Sequence, residues 1–227
     1  MIKIEKTNVF GWESAIRGMR NPMNSWDKSD SKLYCAVVAY DECNERWENQ
    51  INSTAFVIGD NDLDLMKRLS NAGNDHAKFL RMINVTCDII APLYWWKEYD
   101  TYKVGTVANS CSTMHKLHAR EFTLADFSWE HLTNRSIGVL EAVIEELNYN
   151  RDAYIATKDK KYWHQMIQLL PTSYEQKRTV QLNYQVLKNI YFSRRNHKLD
   201  EWHTFCEWIE KLPYFKAICD RGIKDEN

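Results

Sequence analysis

Arg17, Arg20, Asn21, Ser25, Lys28 and Ser31 fall within fifteen residues, RGMRNPMNSWDKSDS. Arg17 and Arg20 are three apart, so a helix puts them on one face. A guanidinium is a planar fork that suits phosphate oxygens, and the nearby hydroxyls and backbone N–H groups would complete an anion pocket. Taken alone, the same residues describe a solvated helix face followed by an N-capping turn. A second set is Asn183, Asn189 and Arg194, with Arg195 beside the last. Gaps of six and five residues do not make one stripe at 3.6 residues per turn. The set would instead line two adjacent edges of a cleft between helices or subunits; alone it reads as an exposed polar face. Cys111, His115 and His118 are spaced loosely like metal ligands, but no fourth ligand stands nearby, and the expectation is no metal. The phosphate-loop pattern G-x-x-x-x-G-K-[ST], the dinucleotide pattern G-x-G-x-x-G and the nucleophile pattern G-x-S-x-G are all missing from the sequence.

These side chains must be positioned by a chain of 227 residues, which suits a single domain spanning 1–227, with 220–227 as a frayed polar tail. Hydrophobic residues make up 44% and charged residues 27%, the balance of an ordinary globular protein. A net charge of −1 and a pI of 6.7 argue against generic nucleic-acid binding. No apolar run approaches the roughly 18 residues of a membrane span, and the N-terminus MIKIEKTNVF has no apolar signal-peptide core. The six Cys form no C-x-x-C pair. Together these predict a cytoplasmic protein with reduced thiols.

The expected fold class is α+β, a small antiparallel sheet with long C-terminal helices. Strands are expected at Met1–Lys6, which alternates apolar and charged residues, at Lys32–Tyr40, and at Met82–Ala91, which stops at Pro92. Helices are expected at Phe10–Arg20, Asp62–Asn71, Thr133–Thr157, Lys160–Leu169, Val180–Arg194 and Leu199–Leu212. Pro92–Lys103 is aromatic and helix-like, and Thr106–Met114 reads as an irregular strand or a site loop. Tyr94, Trp95, Trp96, Tyr99 and Tyr102 are either core and oligomer packing or flat surfaces for a base or a flavin ring.

Taken in order, several segments resemble flavin-dependent thymidylate synthases. Ala15-Ile16-Arg17-Gly18-Met19-Arg20 is similar to the family's N-terminal A-V-R-x-A-R segment. Leu65–Leu69, Gly73, Phe79 and a strand ending Ala91-Pro92 resemble the stretch before the family motif. Leu169-Leu170-Pro171, Thr179–Asn183, Leu187, Asn189, Arg194 and Glu201-Trp202 resemble the family's C-terminal run, allowing one extra residue before Glu201. The likeness is collinear over nearly the whole chain. The motif R-H-R-x-x-S-x-N-E-x-S-x-R-Y is largely replaced. Thr101 and Tyr102 stand at its first Arg and His. Lys103 and Thr106 match its third Arg and first Ser in type. Ala108-Asn109 and Thr113-Met114 replace the Asn-Glu and Arg-Tyr pairs, and Gln185 stands where the family has Arg.

The resemblance implies methylation of dUMP to dTMP with methylenetetrahydrofolate and reduced FAD, in a homotetramer. It implies FAD contacts at Arg20, Lys103, Thr106, Asn183 and Asn189, and substrate contacts at Arg194, Ser110, Ser112 and Arg17. It requires no protein nucleophile, because the cofactors carry the chemistry. Each lost charged contact is worth about 1.5–3 kcal/mol, so several losses would weaken a nucleotide by orders of magnitude. Arg17, Arg20, Lys28, Lys97, Lys103, Arg194 and Arg195 would have to rebuild the cationic pocket. The alternatives are a related nucleotide-binding protein with another reaction, and a non-catalytic protein that retains the fold without FAD.

Overall fold

The computed structural model describes residues 2–35 and 54–219. Residues 36–40 of the expected second strand and the 220–227 tail lie outside them. In chain order the elements are β1 (Lys3–Phe10), α1 (Trp12–Arg20), β2 (Lys32–Cys35), β3 (Thr54–Val57) and α2 (Asp60–Asn71). Next come β4 (Asn84–Pro92), α3 (Leu93–Tyr99), β5 (Val107–Ser110), α4 (Asn134–Thr157) and α5 (Lys160–Leu169). The chain ends with β6 (Glu175–Asn183), α6 (Tyr184–Arg194), α7 (Asp200–Glu210) and α8 (Phe215–Cys219). The class is α+β, with a small antiparallel sheet and long C-terminal helices. Of the described residues, 2–9 and 85–210 form one compact unit, and 10–35, 54–84 and 211–219 form another.

The first unit holds the four-stranded sheet, in the order β1-β4-β6-β5. Central β4 buries Val85, Cys87, Asp88, Ile89 and Ala91, as expected of a strand flanked on both sides. β5 is exposed along its length and pairs antiparallel with β6, Ser110 opposite Arg178. β6 corrects the sequence reading. Val180–Asn183 is not the first turn of a helix but the end of a strand. Val180, Tyr184 and Leu187 satisfy a helical period, whereas Val180 and Leu182 satisfy a period of two. Burial of Gln176, Val180 and Leu182 on one face of the sheet decides for the strand. The chain turns helical only at Tyr184, where the Asn183 side chain accepts from Val186 N at 3.0 Å as an N-cap. The sheet therefore takes a strand from the C-terminal half as well as from the N-terminal half. Two smaller shifts occur at the N-terminus: β1 runs on to Phe10, and α1 begins at Trp12.

α3 supplies the aromatic core of this unit. Trp95 packs against Trp96, Tyr99, Trp202 and Phe205, with ring centroids 4.8–5.5 Å apart. All five rings are fully buried, so for Trp95, Trp96 and Tyr99 packing is the role the structure shows. Trp96 Nε1 donates to Gln176 O at 2.9 Å and ties α3 to β6. A separate apolar cluster of Leu117, Phe122, Phe127, Leu140, Ile144, Leu147 and Met166 holds the α4–α5 hairpin. Among the described residues no helix is long and apolar enough to cross a membrane.

The second unit is built from α1, α2, α8 and the antiparallel β2–β3 pair. Gly11 lets α1 begin. Its φ is +96°, and an added Cβ would lie 2.1 Å from Met82 O. The unit is closed by the buried ion pair of Arg20 and Asp62, 2.6 Å from Nε to Oδ1. Arg20 Nη1 donates to Ser25 O and Nη2 to Lys28 O. Asp62 Oδ2 accepts from the Ser29 and Ser31 hydroxyls at 2.7 and 2.6 Å, and from Asp30 N and Ser31 N. Burial works against the Asp62 charge. Hydrogen bonds from Ser31, Ser29 and Arg20, with the Arg20 charge, outweigh it and hold the carboxyl below its ordinary value of 3.8.

Removing one partner would strand the other's charge. Asp62→Ala is expected to cost about 3–5 kcal/mol in urea unfolding. A depressed carboxylate stabilises the fold above its unfolded pKa and loses that contribution as pH falls from 3.8 towards the lower folded value. Asp62→Asn should flatten that acid limb; a limb as steep as wild type's would show that Asp62 is not responsible.

Candidate functional site

In the first unit the sequence-derived site residues gather along α6 and the turn that follows α3. Arg194 Nε donates to the Tyr102 hydroxyl at 2.9 Å, and Asn183 Nδ2 reaches Gly105 O at a long 3.5 Å. Gly105 has φ +79°, and an added Cβ would come within 2.9 Å of Asn183 Nδ2, so glycine permits this approach. Thr106 donates to Tyr102 O at 2.6 Å and rigidifies the turn. Lys103 is exposed beside it. Asn183 thus caps α6 rather than sitting on its face with Asn189 and Arg194. Asn189 is exposed nearly two turns further on and accepts from Gln185 Nε2 at 3.1 Å.

Arg194 has intramolecular partners. Its Nη1 lies 2.8 Å from Glu98 Oε2, and its guanidinium is 4.9 Å from the Trp202 ring and 5.7 Å from Tyr102. The same Glu98 oxygen accepts from Trp202 Nε1 at 3.1 Å and lies 3.3 Å from His197 Nε2. One carboxylate therefore organises a cation, an indole and an imidazole, and largely neutralises the charge an incoming phosphate would seek. No local signal in the chain marks Glu98, which lies 96 residues from Arg194.

β5 leads to the remaining candidates. Ser110 is exposed, and the Ser112 hydroxyl accepts from Met114 N and His115 N, which makes it the cap of a tight turn. Across the ladder, Arg178 lies 4.2 Å over the Trp96 ring and pairs with Asp100 at 2.8 Å. Asp88 accepts from Thr179 and lies 3.0 Å from Lys177; those two partners hold its carboxyl below the ordinary range. Sequence reasoning passed over Arg178 and Asp88, which gain meaning only through strand pairing. Arg17 and Arg20 belong to the second unit. Arg17 is exposed and 3.8 Å from Glu13, and Arg20 is 3% exposed with a partner at each of its three nitrogens.

Neither Cys87 nor Cys206, the buried thiols of the first unit's described residues, is poised as a nucleophile. Burial, with the charge of Asp88 behind it, pushes Cys87 up to about 12, and burial with Glu210 pushes Cys206 up to about 11. Cys111 is exposed. Thiol titration with a disulfide reagent at pH 8 should label Cys111 promptly and leave Cys87 and Cys206 protected until unfolding; rapid native labelling of Cys87 would contradict this. Asn183→Ala removes the α6 cap and should cost roughly 1 kcal/mol in chemical denaturation. A neutral result would mean that the cap is replaceable.

The sequence matches no protein-family model and no curated protein. Among solved structures, two crystal structures of the flavin-dependent thymidylate synthase ThyX of Helicobacter pylori, both with FAD and dUMP, are similar to it. Each superposes with a TM-score of 0.64 at 14% identity, covering 96% of this chain and 97% of that one. Likeness at that identity is likeness of fold: the chain has a thymidylate synthase-like fold.

Proposed function

We propose that the chain is a divergent flavin-dependent thymidylate synthase-like protein that binds FAD and a dUMP-like nucleotide and methylates dUMP with methylenetetrahydrofolate. The observation that supports this reading is a row of uncommitted donors where the resemblance puts FAD. Among the described residues Lys103 has no carboxylate partner, Asn189 Nδ2 has no acceptor, and Asn183 Nδ2 has only the 3.5 Å contact to Gly105. These three would hold the cofactor, with Thr106 fixing the turn between them. Arg20 does not fit a phosphate contact, because Asp62 and two carbonyls already engage it. When bound, the reduced flavin would supply the hydride.

For the nucleotide, Arg194 remains the anchor. Nε and Nη1 are engaged by Tyr102 and Glu98, so a phosphate would meet Nη2 or displace Glu98. Exposed Ser110 and the Ser112 turn would supply further polar contacts. The reading also carries a cytoplasmic homotetramer acting on nucleotide and folate. The Arg194–Glu98 pair favours one other reading: a fold whose cation is permanently satisfied by its own carboxylate, used for another ligand or partner without FAD.

An absorbance spectrum followed by FAD titration separates the two. The proposal expects flavin bands or a dissociation constant in the micromolar range, about −8 kcal/mol, and dUMP-dependent oxidation of the reduced flavin that Arg194→Ala abolishes. Asn183→Ala with Asn189→Ala should weaken FAD about tenfold or more. Glu98→Gln should tighten dUMP by releasing Arg194. A colourless protein indifferent to FAD would leave only the second reading.

A further inference from the structure

We propose that a cavity of about 520 Å3 in the second unit binds a flat aromatic ring carrying one anionic group. The volume suits a single ligand of one or two fused rings with a substituent. Every described lining residue belongs to that unit.

The ligand class follows from which groups of the lining are already engaged. Arg20 is bound to Asp62, Ser25 and Lys28. The Ser29 and Ser31 hydroxyls donate to Asp62, and Ser31 also accepts from Gly59 N. Among the described residues the polar side of the cavity is therefore a closed network without a free donor for a ligand. Trp26 donates its indole N–H to Asn21 at 2.8 Å, which fixes the ring at the cavity wall. Ile16, Leu33 and Phe56 complete the apolar wall. Trp26 is 52% and Leu33 55% exposed, large apolar surfaces left open at a concave site.

One side chain can still read charge in favour of an anion. Arg17 holds Glu13 only at 3.8 Å, with both side chains mostly in water, a pairing of little energy. A ligand anion held over the apolar wall would replace Glu13 on a guanidinium suited to carboxylate, sulfonate or phosphate. Trp26 supplies the stacking face, so recognition is one aromatic contact plus one charge.

Calorimetric titration of the full chain with 1-naphthalenesulfonate tests this. Wild type should bind one equivalent, and neutral 1-naphthalenemethanol should bind about tenfold more weakly. Arg17→Gln should lose about tenfold for the sulfonate and little for the alcohol. Leu33→Asp, at an exposed position, should lose both probes while leaving the FAD titration unchanged, so this site and the nucleotide reading succeed or fail separately. The proposal is overturned by absence of saturable sulfonate binding, by binding indifferent to both substitutions, or by preference for the 1-naphthylmethylammonium cation, which would make Glu13 the reader.

Discussion

A guanidinium removed from water must find a carboxylate, and much of this molecule is arranged around that need. In the second unit Arg20 at the end of α1 meets Asp62 in the first turn of α2. The segment that follows Arg20 is drawn in, because Ser25, Lys28, Ser29, Asp30 and Ser31 complete the hydrogen bonding of the pair. One ion pair thus sets the path of residues 20–31 and closes the polar side of the cavity beside them. In the first unit Arg194 meets Glu98, and Arg178 meets Asp100. Each pair joins a helix or strand of the C-terminal half to α3 or the residue that follows it.

The same constraint governs what the chain can bind. A residue that matches a nucleotide-binding position in type is available to a ligand only if its charge is not already satisfied. Arg20 is satisfied on all sides and is structural. Arg194 is partly satisfied, by a carboxylate a third exposed and by two aromatic faces. Among the described residues Lys103, Asn183 and Asn189 keep donors free, and they lie on the turn and helix that the Tyr102–Arg194 and Gly105–Asn183 contacts hold together. The chain thus has a thymidylate synthase-like fold in which Arg20 and Arg194 are answered by carboxylates of their own unit, which is why cofactor affinity rather than fold is the deciding property.

The aromatic residues divide along similar lines. Trp95, Trp96 and Tyr99 are core. Among the described residues the Trp95 Nε1 and the Tyr99 hydroxyl have no hydrogen-bond partner, so packing holds them. Tyr102 presents a face to Arg194, and Trp202 and Trp96, while packed in that core, also present faces to Arg194 and Arg178. Identical residue types, a few positions apart in LYWWKEYDTY, serve as filler and as cation platforms.

Much of this was legible in the sequence. Lys160–Leu169 and the long amphipathic α4 follow from apolar spacing, and β4 follows from a β-branched run ended by Pro92. These depend on residues a few positions apart, and local propensity and period act over that range. The ordered likeness to a known enzyme family was legible too, and the superposition agrees with it at the level of fold. The boundary between β6 and α6 was not, because Val180, Leu182, Tyr184 and Leu187 satisfy both periods and only the neighbouring strands choose. Nor was the state of each arginine. Arg20 and Asp62 are 42 residues apart, and Arg194 and Glu98 are 96 apart. The sequence alone determined which groups could carry charge and which segments could fold. Tertiary structure alone decided which charges were already answered, because Coulomb interactions depend on distance in space and on burial, and neither is written in the order of the chain.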